Sequence, residues 1–208
     1  MAAAVSEPNR LDRHLLVAAA ISSLTEHPPV VVGGTAEQYW ARDRYLETDL
    51  DLCGVLADRT AAAMIDLGFN RIGRHWELDG RFSVAVEVPE STLAGDEGRV
   101  IELPVRGQGV RLIGIDDLYL DRLRQATARP EGYEDRLAGA FALLATRSAE
   151  MDFRYIVECI SVDAAANRLL DRMPYFHGHL ARGLRQERTY PAVLRSLRRG
   201  LSRRPGPN

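Results

Sequence analysis

From Asp49 to Cys53 the sequence reads DLDLC, so two carboxylates alternate with two leucines. Successive strand residues point to opposite faces, which puts Asp49 and Asp51 on one side and Leu50 and Leu52 on the other. The run RFSVAVEV, from Arg81 to Val88, repeats the device: Phe82, Val84, Val86 and Val88 line one face, and Ser83, Ala85 and Glu87 the other. If the two strands are neighbours in one sheet, three carboxylates share a surface. Carboxylates gathered like this repel and raise one another's pKa unless a cation neutralises them. Mg²⁺ answers that demand with one or two carboxylates plus substrate phosphates. Two such ions about 3.5–4 Å apart clamp the attacking and leaving oxygens of an in-line phosphoryl displacement. Upstream, VVVGGT runs a short apolar strand into Gly33-Gly34-Thr35. The backbone of such a turn approaches a phosphate closely, and the N-terminus of a following helix favours negative charge. Turn and acids together describe a metal-dependent nucleotide site.

The elements that must position these residues follow from periodicity and breakers. A helix is expected over 11–24, ended by EHPP, then a buried strand over 29–33 and a helix from Gly34 to about Arg42. The acids belong to a strand over 47–55. Asp58 is placed to cap a helix running to Leu67, which Gly68 stops. HWEL and RFSVAVEV flank Asp79-Gly80, a two-residue hairpin signal. RVIELPVRG and VRLIGI read as further strands around Gly107–Gly109. From Asp116 the pattern is helical: 116–127, 132–147, 151–160, 163–172 and 180–201. The fold class is therefore α/β in the α+β sense, a small mixed-sheet core followed by an all-helical C-terminal region. The expected division is an α/β domain with an N-terminal helix over 1–127 and a helical region with a basic tail over 128–208.

Composition narrows the class. At 208 residues, 46% hydrophobic and 27% charged, the chain suits a soluble globular protein with one substantial core. LLVAAAI is too short and follows too polar a segment for a signal peptide, and no window reaches the roughly 20 apolar residues of a membrane helix. Cys53 and Cys159 stand in no metal or redox spacing, so a reduced cytoplasm is the expected setting. All 27 basic residues are arginine. From Arg168 to Asn208 ten arginines face two acids, a net of +8, which leaves −10 on residues 1–167. An acidic body with a basic tail suits a tail that meets an anionic partner or packs on the body itself.

VVVGGTAEQYW, TDLDL and VAVEV together resemble the nucleotidyltransferase superfamily that shares the DNA polymerase β-like catalytic core. That family's pattern is a hydrophobic strand, Gly-Gly or Gly-Ser, acid-x-acid on the next strand and a third acid on a later one. The segment VRLIGIDDLYLDRL resembles the bacterial branch near the abortive-infection, or type IV toxin, nucleotidyltransferases. The resemblance covers residues 29–126, with weaker support to 160. It implies that Gly33, Gly34 and Thr35 contact the triphosphate of an NTP substrate and that Asp49, Asp51 and Glu87 are catalytic and hold Mg²⁺. Many relatives carry lysine in the helix after the last core strand; here Arg122 stands there, able to hold a phosphate bidentately but not to donate a proton. The implied reaction moves a nucleotidyl group from NTP to an acceptor hydroxyl. RNA, tRNA included, is an acceptor suited to the arginine-rich rear, and a cognate antitoxin is the implied partner; an antibiotic or a protein side chain is also open. The alternative is a catalytically degenerate member that binds nucleotide, RNA or a protein partner.

Other residues carry blander expectations. His177 and His179 have no carboxylate or cysteine nearby to complete a metal site. Cys53 reads as a small packed residue on the side of the acids, not as a nucleophile. Tyr39, Trp40 and Tyr45 read as core rather than as a base-stacking platform. Arg182, Arg185, Arg188, Arg195, Arg198 and Arg199 form a loose helical stripe, either a solvated face or a contact for nucleic-acid phosphates.

Overall fold

The computed structural model describes residues 1–42, 49–128 and 133–163. They fall into two compact units: residues through Tyr39 with 49–114, and residues 40–42 with those from Ile115 on. The helix after the last strand thus groups with the rear of the chain.

The first unit is built on one mixed sheet of seven strands among the described residues. In chain order its elements are α1 (Ala2–Ser6), α2 (Arg10–Ser22), β1 (Val30–Val31), α3 (Gly33–Ala41, whose last two residues group with the second unit), β2 (Asp49–Cys53) and α4 (Asp58–Asp66). There follow β3 (Phe69–Ile72), β4 (His75–Leu78), β5 (Val84–Glu90), β6 (Ile101–Val105) and β7 (Gln108–Leu112). The strands lie in the order β3-β4-β5-β2-β1-β7-β6. β2 runs parallel to β5 and antiparallel to β1, and β1 runs parallel to β7. The acid-bearing strand is therefore central. Leu50, Leu52, Val84, Val86, Val31 and Leu112 are fully buried, and they fix which face of each strand turns inward. A slip of one residue would bury both aspartates, so the same pattern also fixes the register. α2 lays Val17, Ala18 and Ile21 into the core, with Asn9 Oδ1 accepting the Asp12 N–H at 3.2 Å as its cap.

Three local expectations need correction. The β4–β5 hairpin is not closed by two residues: pairing begins at Leu78 with Val84, leaving a loop over 79–83. α1 meets this loop. The Phe82 N–H donates to the Val5 carbonyl at 3.1 Å, and a Cβ on Gly80 would stand 2.4 Å from Val5 Cβ. Val5 thus fills the space where a side chain at Gly80 would go, and its carbonyl takes the Phe82 N–H into a bond outside the hairpin. Second, β3 was not foreseen. Only Phe69 of its four residues is buried, because it is an edge strand, and neither alternation nor an apolar run marks it. Third, the cap of α4 is Ala57, with Asp58 in the first turn.

The second unit contains α5 (Ile115–Ala128), α6 (Tyr133–Arg147) and α7 (Phe153–Val162). Leu118 and Leu123 of α5, Leu137, Phe141 and Leu143 of α6, and Ile156 and Ile160 of α7 are buried. The Asp116-Asp117 pair that opens α5 points into this packing. Asp116 Oδ1 accepts the Asp152 N–H at 3.0 Å, and Tyr155 donates its hydroxyl to Asp117 Oδ1 at 2.6 Å. Burial, with this carboxylate beside it, pushes the Tyr155 phenol up. Tyr155→Phe removes one donor from a buried carboxylate and is expected to lower stability by about 1–3 kcal/mol in a urea melt.

The helices expected over 163–172 (beyond Asp163) and 180–201, His177, His179, the arginine stripe from Arg182 to Arg199, and Tyr45, Glu47 and Thr48 lie outside the described residues.

Candidate active site

The backbone brings the expected acids together. In the β2–β5 ladder Asp51 stands opposite Glu87 and Asp49 opposite Ala85. Neighbours in a parallel pair project to the same side, so the three carboxylates rise from one face with only a methyl group at the fourth corner. All four residues are half-buried, whereas the intervening Leu50 and Val86 are fully buried.

The glycine turn closes on the same face. The Val32 N–H donates to the Asp51 carbonyl at 3.0 Å, which ties the end of β1 to β2. Gly33 then takes φ +62°, a left-handed value. A Cβ placed there would lie 2.0 Å from Asp51 Oδ2. Glycine is thus required twice, once for its dihedral angle and once for the carboxylate against its Cα. Gly33→Ala is expected to lose at least about 1–2 kcal/mol from the left-handed backbone alone, and to displace the Asp51 carboxylate. Denaturant melts of the variant beside wild type check the first effect.

Gly33, Gly34 and Thr35 are buried, and α3 starts among them. The Thr35 hydroxyl serves the interior: it lies 2.8 Å from His14 Nδ1 and donates to the Asp49 carbonyl at 3.4 Å. What this turn can present to an anion is its backbone N–H groups, the first of which have no partner within the helix. The buried His14 was missed in the sequence. Its signal was position: 14, 17, 18 and 21 share one helical face, and all four are buried. Burial first, then Arg13 and Arg10, lower the His14 pKa to about 4 against the opposing pull of Asp49. A neutral ring with its proton on Nδ1 donates to Thr35, which passes a donor on to the backbone of the acid strand.

Glu87 has basic side chains beside it. Its Oε1 accepts an ion pair from Arg74 Nε at 2.8 Å, and His75 Nδ1 stands 4.0 Å away. Among the described residues no three His, Cys, Asp or Glu side chains close around a common point as they stand. The donor set nevertheless fits a divalent ion: three oxygen-bearing side chains share a face, and an arginine already supplies positive charge to one of them. Cys53 ends β2 as a buried thiol whose pKa is raised by burial and then by Glu90 and Glu97, the setting of a packed residue. Arg122 belongs to the second unit, buried on α5, with its Nη1 donating to Gln125 Oε1 at 3.0 Å. Tyr39 and Trp40 are half-buried on α3.

No family model matches the chain, and no curated protein does. Among solved structures, an antigenic nucleotidyltransferase-like protein from Paracoccidioides brasiliensis superposes with a TM-score of 0.58, over 91% of this chain and 94% of its own, at 12% identity. The fold is nucleotidyltransferase-like. The antibiotic-resistance factor ANT(2'')-Ia aligns with a TM-score of 0.46, over 81% of this chain and 96% of its own, at 18% identity. In this nucleotidyltransferase-like fold the central strand carries Asp49 and Asp51, and the glycine turn packs on the second of them.

Proposed function

We propose that the protein is a Mg²⁺-dependent nucleotidyltransferase that moves a nucleotidyl group from an NTP to an acceptor hydroxyl, the hydroxyl oxygen bonding to the α-phosphorus as pyrophosphate leaves. The observation that supports this best is the register of Asp51 against Glu87, beside a glycine whose missing Cβ makes room for the Asp51 carboxylate. Asp49, Asp51 and Glu87 would hold the ion. Mg²⁺ bound there supplies charge neutralisation at the α-phosphoryl group and lowers the pKa of the acceptor hydroxyl. The N–H groups at the start of α3 face the triphosphate, and one of the three acids accepts the hydroxyl proton. RNA, tRNA included, is the acceptor we favour, because ten arginines from 168 to 208 suit a polyanion. The DDLYLDRL segment motivates the finer reading, a toxin neutralised by a cognate antitoxin in the cytoplasm. Among the described residues no helix is long and apolar enough to cross a membrane.

The test is transfer of label. Protein is incubated with Mg²⁺ and each α-labelled NTP, with and without total cellular RNA, beside the Asp49→Asn/Asp51→Asn double variant. Label entering RNA with wild type alone is the expected result. Label on the protein itself would redirect the acceptor to a protein side chain. NTP that binds but is never transferred in any arm would overturn transfer to RNA and to protein, leaving a small-molecule acceptor or the non-catalytic reading.

A further inference from the structure

Glu87 lies between two kinds of neighbour. On one side, in register on β2, is Asp51; on the other, in register on β4, is His75. The hairpin joining β3 to β4 pairs Ile72 with His75, so its loop is only Gly73-Arg74. Gly73 has φ +63°, the glycine-first arrangement of a tight hairpin whose twist matches its strands. That turn aims Arg74 back along the sheet, where its Nε reaches Glu87 Oε1 at 2.8 Å. The two partners are unlike: the Arg74 side chain is 77% exposed and that of Glu87 16%.

We infer that Arg74 stands in for the divalent cation at Glu87, so that guanidinium and metal ion compete for one carboxylate. This rests on the proposed reading of Asp49, Asp51 and Glu87 as the metal ligands. Three carboxylates on one face need positive charge whether or not an ion is present. Without the ion, Arg74 is placed to supply that charge to Glu87. The hold is weak by construction. An exposed arginine pays side-chain entropy to keep one geometry, and such pairs contribute little net stability. An ion that also gains Asp49 and Asp51 therefore displaces it, but at a cost in apparent affinity. Once displaced, the guanidinium remains at the site on its short turn, where a phosphate group of the incoming nucleotide can take it. Arg74 thus sets the metal concentration at which the site fills.

Mn²⁺ binding, read by electron paramagnetic resonance of the free ion, tests this without reference to turnover. Arg74→Ala, on an exposed turn, is expected to bind Mn²⁺ roughly two- to fivefold more tightly than wild type, the scale of losing one weak ion pair. In the Glu87→Gln background the same replacement is expected to change the affinity little, because the shared carboxylate is gone. Equal tightening in both backgrounds would overturn the competition in favour of a general field effect. No tightening in Arg74→Ala, while Asp51→Asn abolishes Mn²⁺ binding, would overturn it and leave the metal site standing. No Mn²⁺ binding by either wild type or Arg74→Ala would overturn the inference together with the metal reading beneath it.

Discussion

Asp51→Asn is expected to cut nucleotidyl transfer by about a hundred- to a thousandfold while the protein still folds. The magnitude follows from charge: a carboxylate on a catalytic cation contributes several kcal/mol to the transition state, and each ~1.4 kcal/mol is a factor of ten in rate. Retention of the fold follows from shape. Asparagine has the outline of aspartate, so it fills the space against the Gly33 Cα that a Cβ there would contest. It also removes one of two like charges placed opposite each other, Asp51 and Glu87. The melting temperature should therefore stay within a few degrees of wild type, while transfer of label from an α-labelled NTP collapses. Gly33→Ala is the counter-experiment, because it leaves all three acids in the sequence yet perturbs both backbone and carboxylate. A variant Asp51→Asn that transfers label at the wild-type rate would remove Asp51 from the catalytic set. One that fails to fold would make it a structural residue instead.

The acids were legible in the sequence because alternation in a strand is a local property. Leu50 and Leu52 must go inward, so Asp49 and Asp51 must go outward, whatever the rest of the chain does. Glu87 was legible only in part. Its face followed from Val84 and Val86, but that it lies opposite Asp51, and not one pair further along, depends on a parallel pairing between segments separated by α4, β3 and β4. Nothing local encodes such a register. The neighbours of Glu87 were harder still. Arg74 reaches it only because β3 exists, and an edge strand with one buried residue carries no pattern to read. The Asp79-Gly80 loop has a related feature: its Phe82 N–H bonds to Val5, far away in the sequence, a contact no local pattern records. Thr35, which the resemblance implies at the triphosphate, has a side-chain placement that spacing does not encode. Its hydroxyl is buried against His14.

His14 leads to the second large effect, a loss of stability in acid. In the folded protein its pKa is lowered to about 4, chiefly by burial, from an ordinary value of 6.5. Between those two values the unfolded chain binds the proton and the folded one does not, so stability rises with pH across that window. The contribution is fully present above pH 6.5 and is lost as the pH falls through about 4. Each unit of pKa displacement is about 1.4 kcal/mol, so the whole effect is on the order of 3 kcal/mol, a large share of the 5–15 kcal/mol that holds a typical domain. Other carboxylates titrate over the same range, so wild type alone does not isolate it. His14→Asn does, because Asn keeps a hydrogen-bonding group near the position of Nδ1 but has nothing to titrate. The variant is expected to be less stable than wild type at pH 7, from the space left by the ring. That gap should shrink by roughly 3 kcal/mol as denaturant melts are repeated down to pH 4. A gap that stays constant with pH would mean that the ring does not resist protonation in the fold. Where the proton enters matters as much as its cost. A charged imidazole can no longer sit unsolvated between α2 and Thr35, and Thr35 is the residue that bonds the backbone of Asp49. The interior link that stabilises the first unit is thus the one that fixes the acid-bearing strand beneath the site.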